Sequence, residues 1–270
     1  MTAQRILVPI DFSEVSKNAL ALAISIALKS QSQVSLFNVE NSSSTKNALE
    51  KMKHLVAELP AEASVEFDFE VSQGAVLKEI SRIARPGDYK MIVIGSHGYK
   101  SIREVIFGVD ILKLLKAVSI PALTIQHNYA MPKSGFERIL LPLAPHKIFD
   151  KQIEAVIVFA EMYNSEVHIY ASEKHGLELL DPTKANLKQA VATMQNRNIR
   201  HKVIMESPES FSIGFGKHIL DYAERADIHL ISIIADASKE HAYIADTDKT
   251  TLLTNALNIP VLSVSEKCEQ

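Results

Sequence analysis

Residues 5–13 read Arg-Ile-Leu-Val-Pro-Ile-Asp-Phe-Ser (RILVPIDFS), and this stretch decides the fold class. Its first six residues form a short apolar, β-rich run that ends at a turn, the pattern of a strand buried on both faces. Residues 138–143, RILLPL, repeat it. Farther along, QVSLFNVE from Gln33 meets EVHIYASE from Glu166 at the same offset. A second block, Asp88 to Ile125, aligns without a gap onto Asp227 to Val264. In it Ile92, Ile94, Leu114, Ala117, Ile120, Pro121 and Leu123 meet identical residues. The offset grows by six between the blocks, which a loop absorbs at little entropic cost. The chain reads as an internal duplication.

Each half then shows one order of elements. After RILVPI, Ser13 to Lys29 places Leu20, Ala23, Ile24 and Ala27 at helical spacing. VSLFNV is a second strand. Ser44 to Leu59 is an amphipathic helix with Ser42, Ser43 or Ser44 as its cap. VEFDFEV alternates as a strand, Ala75 to Ala84 is helical and MIVIG is a buried strand. Ile102 to Val118 reads as largely helical, interrupted near Gly108, and PALTI closes the half. Strands alternating with helices predict an α/β fold of two tandem domains, each a doubly wound parallel sheet with right-handed crossovers. The expected domains are 1–127 and 138–270. The linker is 128–137, where Pro132, Ser134 and Gly135 break the periodicity.

Bulk properties exclude several classes. The 270 residues suffice for two cores, with 47% hydrophobic and 23% charged residues. A net charge of −3 leaves no basic footprint for nucleic acid. Cys268 is the single cysteine, read as an incidental tail thiol, so neither an internal disulfide nor a thiolate metal site can form. The N-terminus has no signal-peptide pattern, and the longest apolar-rich stretch, Ala19 to Leu28, is too short to span a membrane. The expectation is a cytoplasmic protein with no membrane partner.

In open α/β sheets, ligands bind beyond the carboxyl ends of the strands where strand order reverses. Two segments of the first half belong there: Pro9-Ile10-Asp11-Phe12-Ser13, and Gly95-Ser96-His97-Gly98 with Gly108 following after nine residues. Glycines at such a loop let backbone approach a phosphate, and a helix beginning after Gly108 would offer free N–H groups to an anion. With PIDFS and VIGSHG in place, the first half resembles the universal stress protein family, whose signature is Gly, two residues, Gly, nine residues, Gly, then Ser or Thr. The resemblance covers nearly all of residues 1–126 and rests on strand pattern alone in the second half.

That resemblance implies a five-stranded, Rossmann-like sheet per domain and a stress-response signalling or adaptor role. It also implies a site for ATP or another adenine nucleotide, which Mg could accompany. Asp11 would accept from the adenine amino group, and Val39 would line the base and ribose pocket. Pro9, Ile10, Gly95, His97, Gly98, Gly108, Val109 and Asp110 would complete the site. The fifth-strand segments PALTI and PVLSV would pair as an internal pseudo-dimer, and a homodimer could form as well.

The sequence departs from the signature at Val109, which cannot donate a hydroxyl bond to phosphate. Such a bond to a charged group is worth ~1.5–3 kcal/mol, or ten- to a hundred-fold in affinity. Asp110 adds a carboxylate beside the expected phosphates. In the second half Gly95, Gly98 and Gly108 become Ile234, Ala237 and Thr247, while Asp11 becomes Ala144. Asp236, Glu240, Asp246 and Asp248 add acidic charge there, read as solvated surface because they lack calcium-loop spacing. His201, His218 and His229 are scattered and imply no metal site.

Other readings of the same residues stay open at this level. Asp11 with Glu14 fits a helix capping box. Gly95 and Gly98 fit a tight turn. His97 has no partner His or Cys at a motif spacing, which argues against catalysis. A nucleotide-free scaffold is one functional alternative, consistent with Val109 and Asp110. A slow ATPase is the other, against which no GxxxxGK[ST] loop is present and no motif dictates a cation at the phosphates, Lys100 and Arg103 being the nearby candidates.

Overall fold

The computed structural model describes residues 5–40, 47–60, 64–96, 105–106, 109–143, 146–172, 181–206, 215–236 and 246–268. The chain divides into two compact units, Met1–Ala130 with Lys267–Gln270, and Met131–Glu266.

The first unit runs β1 (Arg5–Pro9), α1 (Glu14–Ser30), β2 (Gln33–Glu40), α2 (Ala48–Ala57), β3 (Phe67–Gln73), α3 (Val76–Ile83) and β4 (Tyr89–Ser96). It continues through β5 (Val105–Ile106), β6 (Val109–Asp110), α4 (Ile111–Ala117) and β7 (Ala122–Gln126). Its main sheet has the order β7-β4-β1-β2-β3 with every pairing parallel. The chain moves from β1 to one side, then crosses to β4 and moves to the other. The reversal point is therefore the cleft between the C-terminal ends of β1 and β4.

The second unit repeats the plan: β8 (Arg138–Pro142), α5 (Phe149–Tyr163), β9 (Glu166–Ser172), α6 (Asp181–Asn196) and β10 (His201–Glu206). Then follow α7 (Phe215–Arg225), β11 (Leu230–Ile234), α8 (Asp246–Leu253) and β12 (Val261–Val264). Its sheet order, β12-β11-β8-β9-β10, is again fully parallel and matches the first unit strand for strand. The expected α/β class with five parallel strands per half is what the molecule shows.

The apolar runs that marked the repeat are the centres of the two cores. Ile6, Leu7, Val8, Ile92, Val93 and Ile94 are fully buried, as are Ile139, Leu140, Leu141, Leu230 and Ile231. An aromatic cluster of Phe136, Phe159 and Tyr163 closes one end of the second core. Gly135 (φ 76°) lets the chain pass it, since a Cβ there would lie 2.6 Å from Tyr163 Cε1. Cys268, read as a thiol on the tail, is buried.

Three local expectations also change. Helix α1 is capped by Ser13, whose side chain accepts from Ser16 N, so Asp11 and Glu14 do not form the capping box. Helix α2 begins only at Ala48 behind Asn47 (φ 75°), with no side-chain cap; Ser42, Ser43 and Ser44 lie outside the described residues. The segment 102–118 is not one helix. Val105 and Ile106 pair antiparallel with Asp110 and Val109, and α4 starts at Ile111. The β-branched Val105, Ile106 and Val109 favour extended backbone, which overrides the weak helical periodicity before the Leu-rich turn.

Candidate functional site

The site is built from the strand ends beside the reversal point. Pro9 ends β1, and the buried Ile10 continues its ladder by donating N–H to Phe37 O at 2.8 Å. Ile10 O accepts from Asn38 Nδ2 at 2.6 Å, which ties the ends of β1 and β2 together. The chain then turns at Phe12, which holds φ 67°, a conformation uncommon for a non-glycine residue. This turn leaves Asp11 half-buried at the mouth of the cleft. Asp11 Oδ1 accepts from Ser13 N at 3.0 Å and from Ser13 Oγ, while Oδ2 has no hydrogen-bond partner among the described residues. The carboxylate is thus oriented from one side and open on the other.

Val39 sits half-buried near the end of β2, in register with Ser72 of β3. Ser72 Oγ donates to Glu79 Oε2 at 2.7 Å, and Arg82 Nε donates to the same oxygen at 3.0 Å. The Ser72 bond first, and Arg82 next, hold the Glu79 carboxyl below the usual carboxylate range. Lys51, on α2, places Nζ 5.7 Å from the centre of the Phe12 ring and brings positive charge to the same edge.

Gly95 lies within β4, paired with Ile125, and so is not a turn residue. A Cβ there would come within 2.7 Å of Val15 C and still closer to Val15 O, so the glycine is needed for α1 to pack against β4. Since β1 lies between β2 and β4, the structure brings Ile10, Asp11, Val39 and Gly95 to one sheet edge. His97, Gly98 and Gly108 lie outside the described residues, as do Lys100 and Arg103. Of Val109 only the backbone is described, in the β5–β6 pairing. Asp110 is the exposed N-cap of α4, and its Oδ1 accepts from Lys113 N at 3.2 Å. The carboxylate thereby takes one of the N–H groups expected for an anion.

Sequence reasoning missed Asn38. It is 3% exposed, and its Oδ1 is buried without a hydrogen-bond partner. A lone amide in the apolar run VSLFNV is the signal that could have found it, because buried polar groups are ordinarily paired.

The second unit presents a different edge. Leu143 N donates to Tyr170 O at 2.8 Å, the counterpart of Ile10 and Phe37. At the position aligned with Asp110 stands Lys249, 3% exposed. Its Nζ donates to Asp236 O at 2.6 Å and to Ala235 O at 3.2 Å, so an ammonium fills the end of β11. Of the four acidic residues, the two whose side chains are described bond to different backbone groups. Asp236 Oδ2 accepts from Glu266 N at 2.7 Å and Asp248 Oδ1 from Gly216 N at 3.0 Å. Glu240 and Ala144 lie outside the described residues, as does the side chain of Asp246. No group of three metal-ligating side chains occurs among the described residues. His146, also missed from sequence, lies beside Lys249. Burial first, and the Lys249 charge next, push its pKa down.

No helix among the described residues is long and apolar enough to cross a membrane. No curated protein sequence matches the chain. Many solved structures resemble its fold, and three of them are representative. A universal stress protein from Archaeoglobus fulgidus DSM 4304 is 18% identical with a TM-score of 0.71, covering 98% of this chain and 99% of that one. A functionally unknown protein from Pseudomonas aeruginosa PAO1 is 19% identical, with a TM-score of 0.63 and coverages of 98% and 93%. The cytoplasmic domain of a prokaryotic cation chloride cotransporter is 9% identical, with a TM-score of 0.53 and coverages of 100% and 98%. The family is decided by sequence. Residues 2–126 match the model of the universal stress protein family, so the first unit is a domain of that family, and the fold of the whole chain resembles that of the Archaeoglobus fulgidus universal stress protein.

Proposed function

We propose that the chain is a stress-response signalling or adaptor protein whose first unit takes an adenine nucleotide at the β1–β4 cleft, while the second unit takes none. The observation that carries this reading is Asp11. Its carboxylate is fixed by Ser13 through one oxygen and offers the other at the cleft mouth, as a base-recognising acceptor would. The orphaned Oδ1 of Asn38 nearby is a second acceptor for a ligand or an ordered water. On the other unit, the buried Lys249 side chain occupies the strand end with its donors directed to the carbonyls of Ala235 and Asp236, and Ile234 stands in place of glycine, which together argue against room for a phosphate.

Titration calorimetry of ATP with Mg into the full chain tests this. The expected stoichiometry is one nucleotide per chain, with Asp11→Ala weakening binding at least ten-fold. Two nucleotides per chain, or an unchanged Asp11→Ala affinity, would refute the assignment. Val109→Ser restores the hydroxyl of the family signature and is expected to tighten ATP binding about ten-fold in the same titration.

One observation favours a second reading, a nucleotide-free scaffold: Asp110 already satisfies the N–H of Lys113 and sets a negative charge there. Purified chain that carries no nucleotide on mass spectrometry after denaturation, and takes up none in calorimetry, would establish it.

The internal pseudo-dimer belongs to this proposal and rests on the apolar segments PALTI and PVLSV. It predicts one coupled unfolding transition for the full chain. Leu123→Lys combined with Leu262→Lys is expected to split that transition in calorimetry.

A further inference from the structure

The edge strand β10 carries a surface feature that the nucleotide site does not explain. It pairs with β9 on one side and ends the second unit's sheet on the other. Val203 and Met205 lie on it at 40% and 43% exposure, two of the largest exposed apolar side chains described. Val167 N donates to Arg200 O, so even-numbered residues turn their backbone groups toward β9. By alternation, the N–H and C=O of His201, Val203 and Met205 face outward, an open template for another strand.

We infer that this edge is a homodimer interface, in which β10 pairs antiparallel about a twofold axis with β10 of a second copy of this chain. The strand HKVIME is complementary to itself in one register. Centring the pair on Ile204 sets Val203 against Met205 of the second copy, and both are outward-facing residues as a hydrogen-bonded pair requires. The same register sets Lys202 against Glu206 of the second copy, twice by symmetry. Centring on Val203 would oppose Lys202 to Ile204, and centring on Lys202 would oppose the two lysines. One register thus satisfies the backbone, buries four apolar side chains as a cluster and matches charge.

Both charged residues already sit in local networks that hold them in place. Lys202 Nζ is 3.4 Å from Glu166, and Glu206 accepts from Arg225 at 2.6 Å and from Tyr170 Oη at 3.0 Å. The equivalent edge of the first unit is guarded. In β3, pairing centred on Phe69 would set Asp68 against Glu70 of a second copy, carboxylate against carboxylate. In β3 the register equivalent to that of β10 thus opposes like charges where β10 opposes unlike ones.

Sedimentation equilibrium on the full chain, at low salt over a wide concentration range, provides the test. The unmodified chain is expected to show a monomer–dimer equilibrium. Lys202→Glu alone opposes two carboxylates at each pair, and Glu206→Lys alone opposes two ammonium groups. Each variant is expected to raise the dissociation constant at least ten-fold, and an equimolar mixture of the two to restore dimerisation. Val203→Pro removes an outward N–H without touching the β9 ladder, and is expected to weaken the dimer at least ten-fold. Circular dichroism of each variant checks that the fold is retained. A chain that stays monomeric at all concentrations overturns the inference. So does a dimer indifferent to Val203→Pro, or a mixture of the two charge variants that stays monomeric.

Discussion

Gly95→Ala is expected to destabilise the first unit by about 3 kcal/mol, the upper end of what overpacking a core costs. The added methyl would meet the backbone carbonyl of Val15, which has no rotamer to move into, so either α1 or β4 must shift. Gly87→Ala is the informative control. It meets nothing within 4 Å and carries only the strain of φ +85°, expected to cost about 1 kcal/mol. Hydrogen exchange read by mass spectrometry localises the effect: Gly95→Ala should accelerate exchange in Arg5–Pro9, Glu14–Ser30 and Tyr89–Ser96. Equal costs for the two substitutions would show that α1 and β4 do not pack this closely. The result also bears on function, because the first glycine of the family signature has a packing duty whether or not a phosphate is bound.

Acidification is expected to weaken the second unit more steeply than the first. His168 is fully buried between Tyr222 Oη, 2.9 Å from Nδ1, and Glu166 Oε2, 2.9 Å from Nε2. Burial outweighs the Glu166 carboxylate, and with Lys202 and Arg138 nearby it holds the His168 pKa below the usual value of 6.5. Burial likewise lowers His146 and His229. Each folded histidine binds a proton less readily than its unfolded counterpart. Their stabilisation is therefore fully present above pH 6.5, and it declines as pH falls through 6.5 toward the lowered folded values. Unfolding would take up as many as three protons, each worth ~1.4 kcal/mol per pH unit within that window. Urea unfolding at pH 7.5, 6.5 and 5.5, with exchange mass spectrometry to separate the units, measures it. His168→Gln should flatten the dependence. Stability that holds or rises down to pH 5.5 would contradict the burial of these imidazoles.

How much of this was legible in the sequence differs from element to element. The strands RILVPI, MIVIG and their repeats declared themselves, because a strand buried on both faces must be apolar throughout, and the duplication fixed the order of elements twice over. The placement of Asp11 at the reversal point was legible because that point follows from strand order alone, whereas Val39 entered only through the family resemblance. The cap of α1 was not legible, because Asp11, Ser13 and Glu14 all fit caps, and Phe12's positive φ is what turns Asp11 outward to the cleft. The stretch before α4 was misread because β-branched residues at Val105, Ile106 and Val109 mimic part of a helical stripe. Tertiary contact alone gave Gly95 its role against Val15, set Lys249 over the carbonyls of Ala235 and Asp236, and buried His168 between Tyr222 and Glu166. The sequence by itself determined the fold and the point where strand order reverses, since hydrophobic periodicity and chain order act locally along the chain. The tertiary structure decided which polar groups are satisfied and which remain open, since those partners come from elements far apart in sequence.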